Sequence, residues 1–103
     1  MSDLTAIRDR LRTFADARDW DQFHTPKNLS MAIAGEAGEL LAEFQWLTPE
    51  QSTKLTAEKL RDVEMEIADV AIYLVRLADV LGLDIYEATM AKIAINESRF
   101  PPQ

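Results

Sequence analysis

Between Ala57 and Leu81 the apolar residues Leu60, Val63, Ile67, Val70, Leu74, Leu77 and Leu81 recur at alternating intervals of three and four. Held for about six turns, that spacing puts them all on one side of a helix. A stripe of this length must be covered by other elements. No segment alternates apolar and polar residues with period two for long, and only three Gly and four Pro interrupt the chain. The covering elements are therefore helices, and the chain is all-α.

Local signals place the others. Leu4, Ile7, Leu11 and Phe14 stand at helical spacing in a first helix, about Leu4 to Ala17, with Arg8, Arg10 and Arg12 around them. A polar segment from Arg18 to His24 follows, carrying Trp20 and Phe23, unusual for a plain linker. Thr25-Pro26 reads as an N-cap with Pro at the first helical position, opening a second helix that runs to about Trp46. Thr48-Pro49-Glu50-Gln51 repeats the signal with Gln at the capping-box position and opens a short turn before the long helix. Gly82 suits the position after that helix, and Asp84 with Glu87 three residues on caps a last helix closed by Pro101 and Pro102. The expectation is one domain over residues 1–103, a compact bundle of four main helices.

Composition narrows the function. Eighteen acidic against eleven basic side chains leave a net charge of −7, which argues against a protein that coats nucleic acid. No apolar run approaches the ~20 residues that span a bilayer, and the N-terminus lacks a signal peptide's apolar core. Zero Cys excludes disulfides, thiolate zinc sites and a cysteine nucleophile. A protein of the cytoplasm is the default. The single His, His24, rules out a di-iron bundle with two Glu-x-x-His motifs. A phosphate-binding Gly-x-x-x-x-Gly-Lys loop and a supported Ser/His/Asp triad are both lacking.

What remains is acidic. Glu36 and Glu39 share one arc of the second helix, and Glu66 and Asp69 repeat the spacing on the long one. Both pairs border the apolar stripes instead of lying opposite them. Antiparallel packing of two helices joined by a short connection brings the pairs face to face, where four carboxylates repel unless a cation neutralises them. All-oxygen ligation suits Mg²⁺ or Mn²⁺. Solvated charged faces give the same spacing, so spacing alone leaves both readings open. Gly38, set between the two glutamates, points either to close approach by a ligand or to tight helix packing.

Gly35-Glu36-Ala37-Gly38-Glu39-Leu40, Phe44-Gln45-Trp46, and Glu66-Ile67-Ala68-Asp69-Val70 with Tyr73 resemble the MazG-like all-α nucleoside triphosphate pyrophosphohydrolases, whose signature is E-x-x-E, a variable interval and E-x-x-D. Lys92, Asn96 and Arg99 are similar to a further Lys-x-x-x-Asn-x-x-Arg element of that family. The Arg18–His24 segment with Pro26 and Asn28-Leu29 extends the resemblance to the dCTP pyrophosphatase branch.

The resemblance implies an oligomeric enzyme, a dimer or dimer of dimers, that uses Mg²⁺ or Mn²⁺ to split a nucleotide between its α and β phosphates. It implies Glu36, Glu39, Glu66 and Asp69 as metal ligands and catalytic groups, and Lys92 and Asn96 near the phosphates, with Lys92 also catalytic. Trp20, His24, Trp46 and Tyr73 fall at positions near the nucleoside. Leu11 stands where that branch can carry a His near the base, and Glu43 lies one position from a third Glu of some relatives, so it receives no role. dCTP or a modified dCTP is the implied substrate. The alternatives are dUTP or general nucleoside triphosphates, or a non-catalytic helical interaction module; no nucleic-acid polymer and no membrane is expected as a partner. In antiparallel helices Trp46 and Tyr73 point to opposite ends of the carboxylates, which favours a pocket completed by a neighbouring chain.

Overall fold

A computed structural model describes residues 3–103 and contains α1 (Asp3–Ala17), α2 (Pro26–Ala42), α3 (Pro49–Ser52), α4 (Ala57–Val80) and α5 (Ile85–Arg99). No strand occurs among the described residues, and no helix there is long and apolar enough to cross a membrane.

Caps fix the elements where the local signals put them. Thr25, Thr48, Thr56 and Asp84 each accept a hydrogen bond from the backbone N–H three residues on, and Thr48 and Gln51 complete a capping box. The ends of α1 and α4 share one device. Leu83 N–H donates to Ala78 O and Gly82 N–H to Asp79 O, with Gly82 at φ 72°. Trp20 N–H donates to Ala15 O and Asp19 N–H to Asp16 O, with Asp19 at φ 53°. Both are Schellman endings, which call for a left-handed residue. Gly82 takes that backbone freely, and Asp19 takes it as one of the few side chains that tolerate it.

Two expectations need correction. The second helix stops at Ala42, not near Trp46, and residues 43–46 form tight turns in which Phe44 and Gln45 N–H both donate to Leu41 O. Thr48, extended before Pro49 as the proline ring requires, reverses the chain beyond them.

The second correction concerns the bundle. α4 is the hub, with α2 along most of it, α1 against it over a shorter length and α5 touching it at few points. Contacts of Glu36 with Glu66 and Asp69, and of Glu43 with Lys59 at 3.1 Å, run in opposite chain directions, so α2 and α4 are antiparallel. The apolar core is small: Ala15, Leu29, Val63 and Val75 are buried, whereas Leu60, Ile67, Leu74 and Leu81 of the long stripe lie exposed. The radius of gyration is 16.4 Å, against about 13 Å for a compact domain of this length. A single chain is thus all-α but open.

Candidate metal centre and adjoining cavity

The helical registers of α2 and α4 bring carboxylate oxygens of Glu36, Glu66 and Asp69 within 4.8 Å of one another, all three side chains half-buried. Oε2 of Glu66 is shielded from solvent and lacks a hydrogen-bond partner among the described residues. Burial and then the charges of Asp69, Glu36, Glu39 and Glu43 raise the Glu66 carboxyl above its ordinary range. A carboxylate with a buried, unpartnered oxygen, close to two further carboxylates, is what a cation would satisfy, and the donor set suits a hard divalent ion. Glu39 stays outside this trio and exposed, although its charge reaches Glu66. Glu43 is held instead by Lys59.

On the α1 side of α4 lies a mainly apolar cavity of about 530 Å³ lined by residues that include Leu11, Phe14, Trp20, His24, Ala68 and Tyr73. The left-handed turn at Asp19 folds Trp20 back so that its ring meets Phe14 edge-on at 5.3 Å and His24 at 5.9 Å. Asn28 Nδ2–H donates to Phe23 O and fastens this segment to the start of α2. Ala68 neighbours Asp69 in sequence, and Tyr73 follows one turn later, about 6 Å along the axis. Carboxylate trio and cavity therefore share α4 as a common wall.

Of the site residues expected from the sequence, Glu36, Glu66 and Asp69 converge, and Trp20, His24 and Tyr73 line one cavity. Trp46 does not join them; it lies in the turns after α2, 87% exposed. Lys92 and Asn96 are on α5, and no hydrogen bond or ion pair among the described residues links either to the carboxylates.

Sequence reasoning missed a polar cluster behind the cavity. Buried Arg76 donates from Nε to His24 Nδ1 at 3.0 Å, pairs with Asp21, and lies 3.5 Å from Asp79, which Arg12 grips from α1. Asp16 is drawn in as well, its carboxyl raised by a hydrogen bond with Asp21. The available signals were an arginine inside the apolar run Val75-Arg76-Leu77 and an Asp–His pair three apart in an aromatic-bearing linker.

The chain is similar to known proteins over most of its length. The chain matches the MazG-like family over residues 31–101, which include both carboxylate pairs. It is 40% identical to dCTP pyrophosphatase 1 of Bos taurus over 101 residues and 40% identical to that of Homo sapiens over 100. Each alignment takes in 95% of this chain but 59% of the relative, so the chain spans about three fifths of these relatives' length. The crystal structure of a pyrophosphatase from Archaeoglobus fulgidus superposes with a TM-score of 0.91 at 39% identity, covering 99% of this chain and 95% of that one. With a family pattern that runs through the carboxylate helices and a fold shared almost from end to end, this chain belongs to the MazG-like family.

Proposed function

We propose that the protein is a Mg²⁺-dependent nucleoside triphosphate pyrophosphohydrolase that cleaves the α–β phosphoanhydride of dCTP or a modified dCTP, giving the monophosphate and pyrophosphate. One observation carries the reading: carboxylate oxygens of Glu36, Glu66 and Asp69 converge within 4.8 Å, one oxygen of Glu66 being buried and unpartnered, beside an apolar cavity whose lining includes Phe14, Trp20 and Tyr73. The names of the mammalian relatives support the cytosine nucleotide.

Glu36, Glu66 and Asp69 would hold the metal, Mg²⁺ or Mn²⁺, with Glu39 completing the set. When bound, the ion neutralises phosphate charge and lowers the pKa of a water. Hydrolysis of a phosphoanhydride asks the protein for positioning more than for a nucleophile. A neighbouring carboxylate of this set would orient a water and accept its proton. Trp20 and Tyr73 enclose the base, and His24 supplies a hydrogen bond to it. Lys92 and Asn96 serve the phosphates, and Trp46 stacks on the base.

None of these last three residues lines the cavity or joins the carboxylate trio in a single chain, which supports a homo-oligomer, a dimer or dimer of dimers, with shared pockets. Surface area argues the same way. The chain exposes 7938 Å², against about 5,900 Å² for a folded monomer of its mass. Among the bare apolar side chains are Met90, Ile93, Ile95 and Phe100 on or just beyond α5. The cytoplasm, where the nucleotide pool lies, is the compartment this reading implies.

Pyrophosphate release from a panel of nucleotides during a Mg²⁺ titration tests the proposal. Release from dCTP that requires the metal is the expected result. A preference for dUTP would move the substrate within the same chemistry, and no release from any nucleotide would leave a helical interaction module.

A further inference from the structure

Arg76 is the buried charged residue of the described chain, 6% exposed near the C-terminal end of α4, and the chemistry above gives it no task. A guanidinium has only donors. Its Nε–H points at His24 Nδ1 at 3.0 Å, so that nitrogen accepts and carries no proton. A neutral imidazole with a bare Nδ1 bears its proton on Nε2. Asp21, bonded to the other arm of Arg76, and Asp79, gripped by Arg12 at 2.7 Å, hold the guanidinium in place from both sides. Burial and the charge of Arg76 also keep His24 below the ordinary imidazole pKa against the opposing pull of Asp21. The remaining nitrogen, Nε2, has no hydrogen-bond partner among the described residues, while the ring lines the cavity beside Trp20 and Tyr73.

We infer that Arg76 is a positioning residue for base selection: it locks His24 as the Nε2–H tautomer, so that the cavity offers a pyrimidine ring a hydrogen-bond donor and no acceptor at that point. The identity of the cavity's occupant rests on the nucleotide reading above. A fixed donor suits N3 of cytosine, which bears a lone pair. It opposes N3 of uracil, which bears a hydrogen. An imidazole free to exchange tautomers would accept from that hydrogen and discriminate less.

His24 is the only histidine of the chain, so protein labelled with ¹⁵N-histidine gives one pair of ring nitrogen signals. At neutral pH the wild-type spectrum is expected to show Nδ1 unprotonated and Nε2 protonated. A mixture of tautomers, a proton on Nδ1 or an imidazolium overturns the inference. Addition of dCMP, which needs no turnover, is expected to shift Nε2 further than the same concentration of dUMP. An equal shift, or none, overturns it.

In Arg76→Met the dCTP-to-dUTP ratio of kcat/KM is expected to fall about tenfold, the size of one positioned hydrogen bond, mainly through KM for dCTP. An unchanged ratio in the folded variant overturns the inference; should that variant fail to fold, the two wild-type measurements decide. Should the wild type release pyrophosphate from no nucleotide, the enzymatic reading falls by itself, and the ring signals still decide the role of Arg76.

Discussion

Arg12 and Asp79 lie in different helices, and the guanidinium of the first closes on the carboxylate of the second with both ends of its fork, Nε to Oδ2 at 2.7 Å. Arg12 is half-exposed, but Asp79 is nearly buried and also faces Arg76. Hydrogen bonding and charge from Arg12 hold the Asp79 carboxyl below its ordinary value of 3.8, against the opposing effect of burial. A depressed carboxyl stabilises the fold above its unfolded pKa, and that contribution is lost as pH falls through the folded value, here below 3.8. Asp79→Asn should cost about 1–3 kcal/mol at neutral pH, since it leaves buried Arg76 with one carboxylate fewer. Its melting temperature should also lose part of the acid-side decline seen in the wild type. Thermal melts across the acid range check both.

Asp69→Asn keeps the shape of the carboxylate trio and removes one charge. Without divalent ions the variant should be as stable as the wild type or up to about 1 kcal/mol more so, because repulsion is relieved. Adding Mg²⁺ to a hundred times its Kd should stabilise the wild type by about 2.7 kcal/mol and the variant much less. Melts with and without the ion, beside a turnover assay in which the variant is expected to be inactive, give the answer.

Asp19 occupies a left-handed backbone that Gly82 occupies at the other Schellman ending. Asp19→Gly should therefore stabilise by about 0.5–1 kcal/mol, a rise of several degrees in Tm for a domain of this size. The loss of the bond from Gln22 Nε2 to Asp19 Oδ2 sets the lower end of that gain.

Trp46 has little contact with its own chain, so Trp46→Ala should leave the melting temperature nearly unchanged if no neighbour covers it. Stacking on a base would make the same change raise KM about tenfold or more with little effect on kcat. Steady-state kinetics on dCTP separate this from a fall in Tm and kcat together, the mark of an interface anchor.

Ile93→Glu introduces a charge into the bare face of α5. Light scattering should show a weaker oligomer than the wild type. A well-behaved wild-type monomer at micromolar concentration would remove the shared pocket.

What the sequence made legible was local. Thr25-Pro26, the Thr48–Gln51 box, Asp84 with Glu87, and Gly82 are signals within four residues, and each marks an observed boundary. The end of α2 was harder to read. Leu40 and Phe44 continue the helical spacing, yet bonds that tighten onto Leu41 O stop the helix at Ala42. Glu36, Glu66 and Asp69 could be picked out because spacing reports which helix face a residue takes. That Glu39 falls outside the trio depends on the interhelix offset, which spacing does not carry. The Arg76 cluster was hidden for a similar reason, since its partners Asp21 and His24 lie more than fifty positions away. The exposure of the stripe residues Leu60, Ile67 and Leu74 was hidden too, since spacing reports which face a residue takes and not what covers that face.

Because Glu66, Asp69, Tyr73 and Arg76 all stand on α4, that helix works like a camshaft, with every lobe indexed to the others by the number of residues between them. One residue inserted after Asp69 would turn Tyr73 and Arg76 by about 100° away from the cavity while leaving the carboxylates where they are. The segment 43–56 carries no such indexing and can lengthen or shorten at small cost. Variation in length among members of the family should accordingly collect between α2 and α4 and avoid α4 itself.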